Sequence, residues 1–224
     1  MSTQLIAIRH GESNYNRERR WQGQSQDAML NALGWRQAAC LADALRGTHP
    51  AALFSSDLTR AMQTAVPIAA AVRLPIYPEP RLREIDAGSW TDRSADEVRR
   101  AEPERVRAWN EAPATTSPTD GETLAQAQER ILAFVQEQAS RYDGQSIVVG
   151  THGAILQTLM AAAQGLSLDQ LWLDTPAPNG AIVHIEWRSG RLRLLGPPGV
   201  DHLAPLGEEG ITLGSAGGPG PVVA

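Results

Sequence analysis

The sequence has little cysteine: Cys40 is the only one in 224 residues. An internal disulfide is therefore excluded, and a single free thiol is compatible with a reducing compartment. The sequence also shows no long apolar segment and no basic amino-terminal leader ahead of an apolar stretch. Neither a membrane span nor a signal peptide is expected from this pattern, so we expect a soluble, cytoplasmic protein.

An excess of basic residues is also missing. The formal net charge is -5 at pH 7 and the sequence pI is about 5.5. A broad basic surface for nucleic acid or anionic lipid is excluded by this balance, so we predict no nucleic-acid partner and no membrane partner. Strong positive charge must then be local, as in a pocket. The length suits one α/β domain with a substantial core.

The first chemical feature follows a short apolar run at residues 5–8. The run is too short for a helix but suits a strand that is buried on both faces. Arg9, His10 and Gly11 follow it directly. Ligands of open α/β sheets bind at the carboxyl ends of the strands, so Arg9 and His10 are candidates for a functional site.

The same arrangement returns near residue 150. A second apolar run at residues 147–149 is followed by Gly150, Thr151, His152 and Gly153, and then by an apolar helix. This echo places a second histidine at the carboxyl end of a strand.

A third strand end carries an arginine. Residues 51–54 lead into a cluster of helix-capping residues at 55–57, and the helix that follows has Arg60 in its first turn. Parallel strands that alternate with helices bring their carboxyl ends to one edge of a sheet. We therefore expect four side chains to meet there: Arg9, His10, Arg60 and His152. Two arginines and two histidines around one point make a pocket for a dianion, and phosphate fits this chemistry.

The remaining pattern gives the other elements. Helical spacing predicts helices over residues 33–45, 57–72 and 123–140, and over 94–109 with a break at Pro103. Trp35 and Cys40 are expected to pack along the first of these helices. A short strand is predicted at 74–77, and an edge strand at 181–187 is predicted to form a hairpin with 191–194. Residues 13–26 are expected to form a loop over the pocket, with these candidate contacts: Asn14, Asn16, Arg20 and Gln22.

Two segments are interpreted from their polarity. Glu84 lies between apolar neighbours ahead of a glycine-containing turn, which can hold its carboxylate in a cleft. Residues 87–122 show no sheet strand and are expected to form a lid over the carboxyl edge. Residues 196–224 are rich in Gly and Pro, and their composition favours a disordered extension beyond a single domain at 1–195.

Together these residues resemble the histidine phosphatase superfamily, also called the phosphoglycerate-mutase-like family, from about residue 5 to residue 187. The resemblance rests on six segments taken in order: Arg9-His10-Gly11-Glu12-Ser13 with Asn16, Arg20-Trp21-Gln22-Gly23, Ser55-Ser56-Asp57-Leu58 with Arg60, Leu82-Arg83-Glu84 with Gly88 and Trp90, Gly121-Glu122-Thr123, and His152-Gly153. It implies a three-layer αβα sandwich with a mostly parallel central sheet and a helical lid.

The resemblance also implies roles. His10 would be the nucleophile that forms a phosphohistidine, with Arg9, Arg60 and a cationic His152 holding the phosphoryl oxygens and Glu84 acting as general acid and base. The implied substrate-binding residues are Asn16, Gln22, Gly23, Thr151 and Gly153. No metal and no cofactor is implied, since the cations take that place.

Two further functions compete with a phosphatase that acts on a small phosphorylated metabolite. One is a phosphoglycerate mutase that depends on 2,3-bisphosphoglycerate, and the other is a non-catalytic phospholigand-binding protein. True mutases usually carry His-Tyr-Gly after the acid, whereas this chain has Ile85-Asp86-Ala87-Gly88, and its lid is short. These departures favour a phosphatase. An edge strand or the extension could also support a homodimer.

Overall fold

A computed structural model describes residues 1–173 and 177–212 of the chain. The strands are β1 Thr3–Arg9, β2 Ala52–Ser55, β3 Ile76–Pro78, β4 Ser146–Thr151, β5 Ile182–Arg188 and β6 Arg191–Leu194. The α-helices are α1 Asn14–Glu18, α2 Ala32–Leu45, α3 Thr59–Val72, α4 Ala95–Ala101, α5 Pro103–Glu111, α6 Leu124–Arg141 and α7 Gly153–Gln164. Short 3₁₀ helices lie at Pro80–Leu82, Gly88–Trp90, Leu168–Leu173, Asp201–Leu206 and Glu208–Gly210.

The strands form one sheet in the order β3-β2-β4-β1-β5-β6. The pairs from β3 to β1 are parallel, and β5 and β6 are antiparallel to their neighbours. The predicted α/β class with a mostly parallel sheet is therefore confirmed. The prediction that residues 181–187 form an edge strand is wrong, because β5 pairs with β1 along its length and the edge is β6.

The central strands are buried on both faces because helices cover both. Ile6 and Ile8 of β1 join a cluster with Leu41 of α2 and Ile68 of α3. Leu5 and Ala7 point to the other face, where they join side chains of α6 and α7. Successive residues of a strand alternate between faces, so a sheet between two helical layers requires the unbroken apolar run at 5–8.

Capping residues set where most helices begin. Ser94 and Thr123 form capping boxes at α4 and α6, with Glu97 and Gln126 as their partners. The predicted break at Pro103 is confirmed, since α5 begins there.

Residues 13–26 are not a loop throughout. Ser13 and Asn16 form a reciprocal capping box that begins α1. A helix of 5 residues is too short to show apolar periodicity in the sequence, so the prediction of a loop was wrong at α1.

Trp35 does not pack along α2 as predicted. It is 43% exposed, whereas Ala38 and Leu41 of the same helix are buried. Cys40 is half-buried on the same helix.

The Gly- and Pro-rich extension is packed over its described part, up to residue 212, although its composition alone favours disorder. Gly199 bridges to Ile182 of β5, and Leu203 is fully buried. The Gln37 side chain of α2 donates to the Gly210 carbonyl at 2.9 Å. Composition misses these contacts because they depend on distant residues. The rest of the predicted extension, residues 213–224, lies outside the described residues.

The lid segment, residues 87–122, contains α4 and α5 and packs on the loop after α1. The ring centroid of Trp90 lies 4.8 Å from that of Trp21 and 6.3 Å from that of Trp109, the second pair in a T-shaped arrangement. The Trp21 amide donates to the Arg93 carbonyl at 2.9 Å. The lid is therefore fixed to the loop by both apolar and backbone contacts. No helix within residues 1–173 and 177–212 is long and apolar enough to cross a membrane.

Candidate active site

Backbone pairing at the strand ends brings the two histidines together. Arg9 lies opposite Thr151 in the parallel β1–β4 pair, so the residues that follow both strands are neighbours. The His10 amide donates to the Thr151 carbonyl at 3.0 Å, and the Ser56 amide after β2 donates to the Gly150 carbonyl at 2.9 Å. The site is thus set by the register of three adjacent strands.

The ring of His10 is held with one nitrogen available for reaction. Its Nδ1 lies 2.7 Å from the Gly11 carbonyl oxygen, which can only accept, so Nδ1 carries the proton. Nε2 is then the lone-pair nitrogen, and Arg60 Nε donates to it at 3.3 Å. Burial, together with Arg60 and Arg9, holds the pKa of His10 well below its ordinary 6.5. His10 is therefore neutral at pH 7, as a nucleophile must be.

Two buried guanidinium groups supply the positive charge. Arg60 is fully buried and donates to the carbonyls of Gly23 at 2.8 Å and Ser25 at 3.2 Å. Burial lowers the pKa of Arg60 and of Arg9 from 12.5 to about 10, although the Glu84 carboxyl group raises both. Both arginines therefore remain cationic at pH 7.

Glu84 lies at the site with its carboxyl group held by the backbone. It is 3% exposed, and its two oxygens accept from the amides of Ile85 at 3.0 Å and Ala154 at 3.2 Å. Ala154 is in the first turn of α7, where backbone amides have no partner within the helix. The Glu84 carboxyl group is therefore buried and fixed beside the start of α7.

His152 contacts the site through one nitrogen and the protein through the other. Its ring lies 5.1 Å from the ring of His10, and its Nε2 lies 2.8 Å from Ser56 Oγ. Nδ1 is buried and has no hydrogen-bond partner among the described residues. Burial and then Arg60 lower the pKa of His152 well below 6.5, which favours a neutral ring over the expected cationic His152. Desolvation here opposes a third positive charge beside Arg9 and Arg60.

Asn16 offers a second buried donor. Its Oδ1 accepts from the Ser13 amide at 3.1 Å and from Asn179 Nδ2 at 3.2 Å. Its Nδ2 is buried without a partner in the described part of the chain. Gln22, whose Oε1 lies 2.8 Å from Ser13 Oγ, belongs to the same polar group. The capping box of α1 thus fixes the amide of Asn16 beside the histidine loop.

The other predicted substrate-binding residues shape the backbone. Gly23 has φ +43, and a Cβ there would lie 2.8 Å from Ala87 Cβ, so the lid leaves room only for glycine. The Thr151 hydroxyl donates to the Leu82 carbonyl at 2.9 Å, which joins β4 to the segment that carries Glu84. Gly153 is the first residue of α7.

Two candidate contacts are used elsewhere. Arg20 donates to the Asp92 carbonyl and lies over the Tyr15 ring at 5.0 Å, so it joins α1 to the lid. The Asn14 side chain accepts from the Tyr15 amide at 3.0 Å. His202 is half-buried, and its Nε2 lies 2.8 Å from the Gly180 carbonyl oxygen.

The sequence analysis missed Asn179. This residue is fully buried, and its side-chain amide donates to the His10 carbonyl and to Asn16 Oδ1, both at 3.2 Å. The backbone amide of Asn179 donates to the Thr212 carbonyl at 3.0 Å. Asn179 precedes β5 and has no neighbouring motif, so only the antiparallel pairing of that strand with β1 reveals it.

Comparisons with known proteins agree with this geometry. A family model described as "Histidine phosphatase superfamily (branch 1)" matches residues 5–197. Phosphoserine phosphatase 1 of Hydrogenobacter thermophilus is 34% identical over 82% of this chain and 87% of its own. A probable phosphoglycerate mutase, GpmB of Proteus mirabilis, is 32% identical over 73% of this chain and 75% of its own. The structure of YhfR from Bacillus stearothermophilus superposes with a TM-score of 0.84 at 35% identity, covering 89% of this chain and 98% of that one.

Proposed function

This chain belongs to the histidine phosphatase superfamily and is a phosphoric monoester hydrolase. We propose that it hydrolyses a small phosphorylated metabolite through a phosphohistidine on His10, without a metal ion. The observation that carries the proposal is a set of buried donors around one nucleophilic nitrogen. Arg9 and Arg60 are buried and cationic, and His152 Nδ1 and Asn16 Nδ2 are buried with no hydrogen-bond partner among the described residues.

The first step uses the lone pair of His10 Nε2. Nε2 attacks phosphorus, the Nε2–P bond forms, and the bond from phosphorus to the ester oxygen breaks. The ring becomes positive as it loses its lone pair, and the Gly11 carbonyl accepts the Nδ1–H hydrogen bond that stabilises this charge. A carbonyl at 2.7 Å therefore supports the phosphorylated form as well as the tautomer that attacks.

The guanidinium groups stabilise the oxygens on phosphorus. They are already buried and charged, so little reorganisation is needed when charge spreads over those oxygens in the transition state. The Arg60 contacts with two loop carbonyls hold its guanidinium in place before substrate binds.

Glu84 moves the protons. In the first step its carboxyl proton passes to the departing ester oxygen. In the second step the carboxylate takes a proton from water, the water oxygen bonds to phosphorus, and the Nε2–P bond breaks to release phosphate. His10 and Glu84 both return to their starting forms.

A phosphomonoester of a small alcohol such as phosphoserine fits the proposal best. A 34% identical relative is named for phosphoserine, and the short lid with Ile85 to Gly88 in place of His-Tyr-Gly supports water as the acceptor. A mutase activity is the second candidate, because GpmB of Proteus mirabilis is 32% identical. Transfer from phosphohistidine to a phosphoglycerate would use the same first step.

Phosphorus NMR in EDTA tests both candidates. The enzyme is given p-nitrophenyl phosphate, phosphoserine or 3-phosphoglycerate with a trace of 2,3-bisphosphoglycerate. We expect inorganic phosphate without 2-phosphoglycerate, undiminished activity in EDTA, and loss of turnover in His10→Ala. Rapid formation of 2-phosphoglycerate would instead establish a mutase, and activity that EDTA abolishes and magnesium restores would refute the metal-independent mechanism.

A further inference from the structure

Ser56 contacts His152 but has no part in the mechanism above. It is fully buried, at the turn between β2 and α3, and its Oγ lies 2.8 Å from His152 Nε2. The turn was predicted to supply the cap of α3, yet α3 begins after Leu58 without a side-chain cap. The Ser56 hydroxyl is therefore available for another role.

The hydrogen bonds of this hydroxyl identify its role. Ser56 Oγ accepts from the Leu58 amide at 3.3 Å, which leaves its own proton to be placed. Within the described part of the chain, the other hydrogen-bond contact of this oxygen is His152 Nε2. A buried hydroxyl proton without an acceptor is unfavourable, so Ser56 O–H donates to Nε2. Nε2 must then be the unprotonated nitrogen of a neutral ring.

We propose that Ser56 is a positioning residue that fixes the tautomer of His152 with its proton on Nδ1. This nitrogen is the one left without a partner among the described residues. A protonated Nδ1 donates to a phosphoryl oxygen, whereas the opposite tautomer would face that oxygen with a lone pair and repel it. The inference rests on the proposed phosphoryl transfer, because only an anion at the site gives the tautomer a consequence.

The chain offers a matched control in Ser55. Ser55 is the preceding residue and is equally buried, but its hydroxyl donates to the Ser56 carbonyl at 3.0 Å and makes no contact with His152. Ser56→Ala and Ser55→Ala thus remove the same atom at neighbouring buried positions. A general loss of stability would affect both.

The first measurement is the ring ¹⁵N spectrum of His152 in enzyme labelled with ¹⁵N-histidine, assigned by the signals that His152→Asn removes. We expect Nδ1 to be protonated and Nε2 bare in the wild type and in Ser55→Ala, and a tautomer mixture in Ser56→Ala. A neutral wild-type ring with the proton on Nε2 would overturn the proposal. This spectrum needs no turnover, so it can succeed or fail independently of the proposed function, which fails if the wild type hydrolyses no phosphomonoester.

The second measurement is kinetic. We expect kcat/KM of Ser56→Ala to fall about 10-fold, as for the loss of one hydrogen bond, with inhibition by orthovanadate weakened to a similar degree. If Ser56→Ala does not fold, Ser56→Cys keeps the bulk with a weaker donor and is expected to lie between the wild type and alanine. Activity of the folded variant equal to that of Ser55→Ala would refute the role.

Discussion

Replacing Glu84 by glutamine separates the proton-transfer role of this residue from its structural role. The side chain keeps its shape but can neither give a proton to the leaving oxygen nor take one from water. General acid–base catalysis is worth about 10²- to 10⁴-fold, so hydrolysis of phosphoserine, whose alkoxide leaves only when protonated, should fall by that factor. p-Nitrophenolate leaves without a proton, so the first step with p-nitrophenyl phosphate should be nearly unaffected.

This difference between substrates has a kinetic consequence. In Glu84→Gln the phosphohistidine forms from p-nitrophenyl phosphate but hydrolyses slowly, because no carboxylate activates the water. We expect a burst of p-nitrophenolate close to one per enzyme molecule, followed by a slow steady state. Acid-labile phosphorus bound to the protein should accumulate to the same amount.

The structure also predicts a cost in stability. Both carboxyl oxygens accept backbone amides, from Ile85 at 3.0 Å and Ala154 at 3.2 Å. An amide side chain can accept only one of these and presents its NH₂ to the other, which leaves a buried donor unpaired. The free energy of unfolding should fall by roughly 1–3 kcal/mol. Denaturant unfolding measures this loss separately from the kinetics.

Glu122 provides the control. Its carboxylate pairs with Arg130 at 2.8 Å and accepts from the Asp86 amide at 3.2 Å, near the site but without a proposed proton transfer. Glu122→Gln should slow both substrates equally and give no burst. The reasoning would be refuted if Glu84→Gln slowed phosphoserine and p-nitrophenyl phosphate by the same factor without a burst, or if Glu122→Gln showed the same difference between the two substrates.

Three further predictions concern the structure around the site. Burial lowers the pKa of His10 and His152 below the unfolded value of 6.5, so below that pH both histidines bind protons on unfolding. The free energy of unfolding is therefore complete above pH 6.5 and falls below it, and its slope from the two histidines together should approach about 2.7 kcal/mol per pH unit in urea titrations. Stability that does not change between pH 7 and 5.5 would contradict the assignment. Leu203→Ala should lower the free energy of unfolding by about 2–5 kcal/mol if the extension is part of the core, whereas a change no larger than that of exposed Leu195→Ala would show that it is not. Asn179→Ala should cost roughly 1–3 kcal/mol of stability and lower kcat for p-nitrophenyl phosphate more than it raises KM, since it supports the loop of His10; unchanged kcat would separate Asn179 from the site.

The sequence predicts those parts of the site that depend on local pattern. Arg9, His10 and His152 each follow an apolar strand, and the register of buried parallel strands then determines that they meet. The break at Pro103 and the cap at Ser94 are equally local. These predictions succeed because one short segment carries both the signal and its physical cause.

Predictions fail where contacts come from distant residues. The Gly and Pro content of residues 196–212 indicates disorder, yet Gly199 pairs with Ile182 of β5 and Gln37 of α2 donates to the Gly210 carbonyl. Asn179 reaches His10 only through the pairing of β5 with β1. Trp35 was expected to pack along α2 but is 43% exposed.

The contrast between arginine and histidine in the site follows from their intrinsic pKa values. Burial and the neighbouring Arg9 act on both Arg60 and His152. They lower an arginine from 12.5 to about 10, which leaves it charged at pH 7, but they lower a histidine from 6.5 and so leave it neutral. A lysine in place of Arg60 would start lower and come close to losing its charge. The same buried environment therefore provides cationic arginines to bind a phosphoryl group and an uncharged histidine nitrogen to attack it. The distance from Arg60 Nε to that nitrogen, His10 Nε2, is 3.3 Å.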